Sequence, residues 1–388
     1  MKVTILGAGN AGCMSLLHFY YFQNFINKKI QLELIYDKDI DPVPVGQGTN
    51  LTATDIMWKA LGINIFSDNN FSFTLKHGIL YENWGKKKKD MFHPFPIGAY
   101  AYHQNPAEFQ KLVLDSVKDV KITDTGLKKY EDIDSDFIID CTWTPKNFDD
   151  YEKLVNPLNH VLLSSLPYES YEYTKTTATP DGWCFQIPLK DRVSLGYNFN
   201  SKITSIEEAT KNFKDIFGVE KINNNFQYDQ YLAKEPISKD GRVCLNGNKL
   251  FFLEPLEATA IGSYIIVCRH LFDWLFLDNT TKDEANAIIK EYMYRVERFI
   301  LLHYANGSKY DTEFWTYAQK MYDKNINKDM LEFLEMSRNY KEQDGRNPDY
   351  IRDYAQWPTW SVKMWDDYVN WHLHNKQNNI IYRYENKR

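Results

Sequence analysis

The chain begins with a short apolar run, Lys2-Val3-Thr4-Ile5-Leu6, and passes at once into Gly7-Ala8-Gly9-Asn10-Ala11-Gly12. No other feature constrains the fold as much. A Gly-x-Gly-x-x-Gly turn between a strand and a helix permits a tight bend, lets a ligand approach the backbone closely and leaves helix N–H groups free for a pyrophosphate. The residues from Asn10 to Phe22 carry a helical pattern with Met14, Leu17 and His18 on neighbouring turns, and Gln31 to Tyr36 read as a second strand ending in Asp37. An acid roughly 20 residues or a little more past such a turn is placed to accept hydrogen bonds from an adenosine ribose. Strand, turn, helix, strand and terminal acid together specify a dinucleotide-binding α/β fold, and they leave FAD and NAD both open.

Asp136-Phe137-Ile138-Ile139-Asp140-Cys141 continues the theme as a returning buried strand. Between Val161 and Phe199 the pattern becomes strand-rich, and Thr204 with Glu207 gives a capping-box signal for a helix that Gly218 stops. A long helix from Thr281 to Tyr304 places Ile289, Met293, Val296 and Ile300 on one face, closed by Asn306-Gly307. From Asp311 the texture turns polar and helical, studded with Trp315, Trp357, Trp360, Trp365 and Trp371. The division expected is therefore a domain over 1–310, with a strand-rich substrate layer inserted at about 160–240, and a helical cap over 311–388.

Composition limits the function classes. A formal net charge of −6 argues against a nucleic-acid surface, and the basic run Lys86 to Lys89, flanked by Gly85 and Asp90, reads as a solvated loop. Five cysteines fall at no metal-ligand spacing and make an odd count, which suits a reducing compartment and predicts no metal site. The strand that starts at Lys2 leaves no room for a signal peptide, and Leu271 to Leu277 is too short for a membrane span. A soluble, cytoplasmic protein is expected, with a homo-oligomer left open. The 27 Tyr, 23 Phe and 10 Trp suit either a thick core or a pocket for flat ligands.

Four segments give the chain a more specific likeness. They are the glycine turn, Lys76 within Phe73 to Trp84, Gly182-Trp183-Cys184-Phe185-Gln186-Ile187-Pro188, and Phe252-Leu253-Glu254-Pro255-Leu256-Glu257-Ala258-Thr259-Ala260-Ile261. Together and in this order they resemble the flavin-dependent halogenases of the tryptophan-halogenase family. The resemblance covers nearly the whole chain to about Trp315. It implies a Rossmann-like FAD-binding domain of the flavin monooxygenase type, with an inserted substrate-side sheet and a helical C-terminal cap.

The resemblance also implies roles. FAD falls to Gly7, Gly9, Asn10, Ala11, Gly12 and Asp37, to Trp183, Ile187 and Pro188, and to Leu253 and Pro255. Val45-Gly46-Gln47-Gly48-Thr49 stands where the family has a Gly-Glu-Ala-Thr strap over the flavin, so Gly46, Gln47 and Thr49 are assigned there, with Gln47 removing a charge. Lys76 and Glu257 match the catalytic pair. The halide site falls on the backbone N–H groups of Thr259 and Ala260, in a segment where Ala258 and Ala260 replace the family's serine and glycine. Phe92-His93-Pro94-Phe95 resembles an aromatic-stacking segment, giving His93 and Phe95 a substrate role, with Trp357 and Trp360 of the cap as further contacts. Phe185 stands in place of the second tryptophan of Trp-x-Trp-x-Ile-Pro.

The activity so implied uses FADH2, O2 and halide to make hypohalous acid, which is guided to Lys76 for electrophilic substitution on a small aromatic substrate. The sequence leaves open whether the lysine carries the halogen as a haloamine or hydrogen-bonds hypohalous acid. A single dinucleotide turn, assigned to FAD, implies a separate flavin reductase as partner. The altered halide segment leads us to expect bromide or iodide to be favoured over chloride. Two other readings remain: a single-component flavin hydroxylase, which needs neither Lys76 nor Glu257, and a flavin-binding protein without catalysis.

Overall fold

The computed structural model describes the chain except residues 28, 65–71, 86–89, 96–99, 127–128, 306 and 326–388, and the side chains of 91, 93 and 94. Strand Lys2–Leu6 is the centre of a parallel sheet, flanked by Gln31–Tyr36 and Phe137–Asp140. Lys121–Asp124 and Val243–Leu245 form its two edges, also parallel. Three of the strands are buried over nearly their whole length, mostly with apolar residues, as expected where both faces of a parallel sheet are covered.

Helix Asn10–Phe22 is buried along most of its length because it lies between the sheet and two further helices, Leu51–Leu61 and Thr259–Phe276. Thr259–Phe276 packs in turn on Lys282–Leu302, which Thr281 and Glu284 start with a reciprocal capping box. Ile289, Met293, Val296 and Ile300 are fully buried on its inner face.

A second, largely antiparallel sheet has seven strands, in the order Asn224–Gln227, His160–Pro167, Arg192–Phe199, Gly182–Pro188, Thr174–Thr179, Gly78–Glu82 and Met91–Pro94. It thus draws its last two strands from well before residue 160, and Thr174–Thr179 meets Gly78–Glu82 in parallel. A small antiparallel sheet of Gln47–Gly48, Ala101–Gln104 and Thr74–Lys76 bridges the two large ones.

The helix after the hairpins differs from expectation by one residue. It spans Ile206–Phe217, and its N-cap is Ser205, whose hydroxyl accepts from the Glu208 N–H; Thr204 instead donates to Asp181. Both hydroxyls suit a cap, and the buried carboxylate of Asp181 claims one of them. Gly218, at φ 70, ends the helix as expected.

Of the tail, the described part is helix Glu313–Asn325. Trp315 is fully buried and donates its indole N–H to the Thr179 carbonyl at 2.8 Å, which seats the helix on the second sheet. Trp357 and Trp360 lie outside the described residues, as do Lys86 to Lys89. Among the described residues all five cysteines are buried free thiols, and no helix is long and apolar enough to cross a membrane.

Candidate active site

A cavity of about 520 Å³ runs between the parallel sheet and the second sheet, within the ~300–1,000 Å³ typical of small-ligand sites. At one end is the glycine turn. Gly7 has φ +90, and a Cβ there would come within 3.0 Å of the Cys141 carbonyl. Gly12 is required for packing, since its Cβ would lie 1.8 Å from the Gly7 oxygen. Gly9, by contrast, has nothing within 4 Å of where a Cβ would be, so the backbone is open to a ligand beside the N-terminus of helix Asn10–Phe22. That open cradle, with Asp37 further along the same wall, suits the phosphates and ribose of FAD.

Asn10 is tied to the facing segment by amides alone. Its side-chain N–H donates to Gln47 Oε1, and its Oδ1 accepts from Gln104 at 3.0 Å. Gly46 donates its N–H to the Ser194 hydroxyl at 2.9 Å and has no room for a side chain, as a Cβ would meet Ser194, Ile187 and Leu189. Two residues on, Gly48 makes space for an ammonium: its Cβ would lie 3.3 Å from Lys76 Nζ. Thr49 then offers Lys76 Nζ its carbonyl at 3.0 Å. Residues 46–49 therefore connect the glycine turn to Lys76 by direct contact at both ends.

Lys76 reverses the usual habit of lysine, whose stem is buried while its head reaches water. The whole residue is 2% exposed, and the ammonium stands 5.7 Å from the centre of the Phe95 ring. Burial pulls its pKa down to about 8, while the carboxylate of Glu257 opposes the shift.

Glu257 is also buried, and burial raises its pKa; His303 and Lys76 act the other way. Its backbone is in the left-handed region (φ 67), as is that of Ala258 (φ 54), two successive non-glycine residues in a conformation that costs roughly 1 kcal/mol or more each. This tight turn delivers the chain into helix Thr259–Phe276, whose N-terminus has no side-chain cap. Thr259 and Ala260 lie on the cavity wall with Leu253, Pro255 and Glu257.

Strand Gly182–Pro188 forms the facing wall with Trp183, Phe185 and Ile187. The Trp183 indole is fixed by Glu254, which accepts its N–H at 2.9 Å and also takes donors from Asn156 and Tyr304. Gly196 on the neighbouring strand leaves the space that the Phe185 ring fills.

The cavity thus brings together Gly7, Gly9, Asn10, Ala11, Asp37, Gly46, Gln47, Lys76, Trp183 and Ile187 with the 253–260 segment. Gly12, Thr49, Pro188 and Phe95 stand behind the wall rather than on it. His93 pairs with Ile79 across the sheet, and its side chain is outside the described part. Sequence reasoning missed Gly48, Gln104, Glu254 as an anchor, and His303, which bonds Glu257 at 3.1 Å. The one available signal was a histidine near the end of the long helix, with nothing local to join it to residue 257.

The family model described as "Tryptophan halogenase" matches residues 2–124 and 107–357. The chain belongs to the tryptophan halogenase family. Tryptophan 6-halogenase SttH of Streptomyces toxytricini is 27% identical over 257 residues, a stretch covering 56% of this chain and 48% of that protein. The match thus spans about half the length of that curated relative. Among solved structures, BrvH, a flavin-dependent halogenase from Brevundimonas sp. BAL3, superimposes with a TM-score of 0.71 at 16% identity, covering 99% of both chains. Tar14, a tryptophan C-6 flavin-dependent halogenase (chlorinase), gives a TM-score of 0.73 at 17% identity, covering 95% of this chain and 89% of that one. These structural likenesses establish the Rossmann-like FAD-binding fold for this member of the family.

Proposed function

We propose that the protein is a two-component flavin-dependent halogenase acting on an electron-rich aromatic substrate, with Lys76 and Glu257 as its catalytic residues. The observation that carries this reading is a buried ammonium and a buried carboxyl lining the same cavity as an open glycine cradle. Two buried ionisable groups that act on each other only through space are expensive to maintain, and a hydroxylase needs neither.

The glycine turn with Asp37 would hold FAD, and residues 46–49 would lie against it. Reduced FAD, when bound, supplies the electrons that, with O2 and halide, yield hypohalous acid. The uncapped N–H groups at Thr259 and Ala260 suit a weakly hydrated anion because they present dipoles without a competing full charge. Trp183, Phe185 and Ile187 keep the organic substrate on its own side. Lys76 binds the hypohalous acid, either by hydrogen bonding or as a haloamine, and Glu257 orients it for attack by the ring. The reductant comes from a separate flavin reductase. With Ala258 and Ala260 altering the halide segment, bromide or iodide is expected to be used before chloride on phenols or indoles; dominant chlorination in an equal-halide competition would remove that part.

The reading is tested with Lys76→Ala, supplied with FADH2 by a reductase and with hypohalite scavenged from solution. Halogenated arene should disappear by mass spectrometry while FADH2 oxidation continues. Persistent halogenation would overturn the role of Lys76, and rapid NADH oxidation by the pure protein alone would favour the hydroxylase.

A further inference from the structure

His303 is fully buried, and its two ring nitrogens have distinct partners. Nδ1 lies 3.0 Å from the Phe299 carbonyl, which can only accept, so Nδ1 carries a proton. Nε2 lies 3.1 Å from Glu257 Oε1. In the neutral ring Nε2 has no hydrogen, and a carboxylate has none to give. The bond therefore exists only if one proton lies between the two groups, on Nε2 as an imidazolium or on Oε1 as an acid. Glu257 Oε2 is buried and has no partner among the described residues, which leaves it as the reactive edge of the carboxyl.

We propose that His303 is a positioning residue that shares a single proton with Glu257 Oε1, fixing the carboxyl's orientation and keeping Oε2 free of a proton as an acceptor in the active-site cavity. The inference rests on the halogenase reading for its catalytic meaning, and on the hydrogen-bond geometry alone for the pairing. The groups that face the pair are few. Lys76 and Glu254 act on it electrostatically; the Tyr81 ring stacks on His303 at 6.1 Å, and Trp84 and Phe299 close the remaining sides edge-on. Replacing His303 by a side chain that cannot carry the proton leaves Glu257 to ionise alone in a buried site, so Oε2 should be protonated at a higher pH than in the wild type.

Infrared titration of the full-length protein, with the carboxyl C=O band assigned by its loss in Glu257→Gln, measures that protonation directly. In His303→Gln the midpoint should move up by about one pH unit or more, and the acid limb of the halogenation rate should move with it. An unmoved midpoint would overturn the pairing. A moved midpoint in a protein that halogenates nothing would keep the pairing and remove the halogenase reading. Should His303→Gln fail to fold, ¹⁵N-histidine spectra of the unsubstituted site serve instead. The Nε2 signal should lie at a protonated or intermediate position and revert to that of a bare nitrogen in Glu257→Gln; identical signals in the two proteins would refute the shared proton.

Discussion

Two glutamates three residues apart, both buried, are treated by the fold in opposite ways. Glu254 is surrounded by donors: Trp183 on one oxygen, Asn156 on the other, and Tyr304 reaching both at 2.9–3.0 Å. Glu257 has one partner, an oxygen with none among the described residues, and a left-handed backbone. A satisfied carboxylate serves as a clamp that binds a wall strand, a loop and the turn after helix Lys282–Leu302 together. In the halogenase reading proposed above, the unsatisfied one is the carboxyl left to act on a ligand that is not part of the chain. In that reading the difference separates a residue that builds the cavity from one that works in it.

The comparison is broken most sharply at Glu257. Glu257→Gln should lower the halogenation rate about a hundredfold or more, the scale of a lost charged group at a reacting centre, with FAD affinity and melting temperature little changed. A loss of folding would instead make Glu257 a second clamp.

Next in size is Lys76. Its pKa in the fold, about 8, lies below the 10.5 of the unfolded chain, so the unfolded state binds more protons between those values and the wild type gains stability as pH rises from 8 to 10.5. Below pH 8 the full penalty applies. Lys76→Met should therefore stabilise the inactive protein at pH 7 by about 2 kcal/mol, after allowing for the lost bond to the Thr49 carbonyl, and the gain should fade above pH 10. Denaturant melts at several pH values measure this; a destabilised variant at pH 7 would contradict the poised state described for the site.

Glu254→Gln should do the reverse of Glu257→Gln. Its amide hydrogens would face the indole of Trp183 or the amide of Asn156, a donor against a donor, and stability should fall by about 1–3 kcal/mol in chemical denaturation. Equal tolerance of glutamine at both positions would erase the distinction. The smallest effect is expected of Gly48→Ala. The added methyl meets the Lys76 ammonium and the Thr174 hydroxyl, each at 3.3 Å, so stability should drop by about 1 kcal/mol, while displacement of the Lys76 ammonium lowers the halogenation rate more than it lowers FAD affinity.

What the sequence made legible was local. Gly7 to Gly12 encode a bend that almost no other residues can form, so strand, turn, helix and second strand could be read to the residue. The second sheet was legible as strand-rich, but its recruitment of Gly78–Glu82 was not, because a parallel pairing across more than ninety residues leaves no local pattern. Lys76 shows the limit within a site. Its apolar neighbours fit a snorkelling side chain as well as a buried one, and only its proximity to Thr49, Gly48 and Phe95 distinguishes them. Likewise the partners of Glu254 and Glu257 come from 46 to 98 positions away. The cap at Ser205 rather than Thr204 was decided by Asp181, which a window around the helix start does not contain.

Phe185 and Gly196 form a lock of two residues, each shaped by the other. A methyl at 196 would lie 2.1 Å from the tip of the Phe185 ring, so the phenyl occupies volume that the facing strand has given up. An indole at 185 would need this same space and more, being the larger ring system. Anyone restoring the tryptophan of the Trp-x-Trp-x-Ile-Pro signature must therefore recut the seat as well, and transplanting this wall strand into another scaffold means carrying position 196 with it.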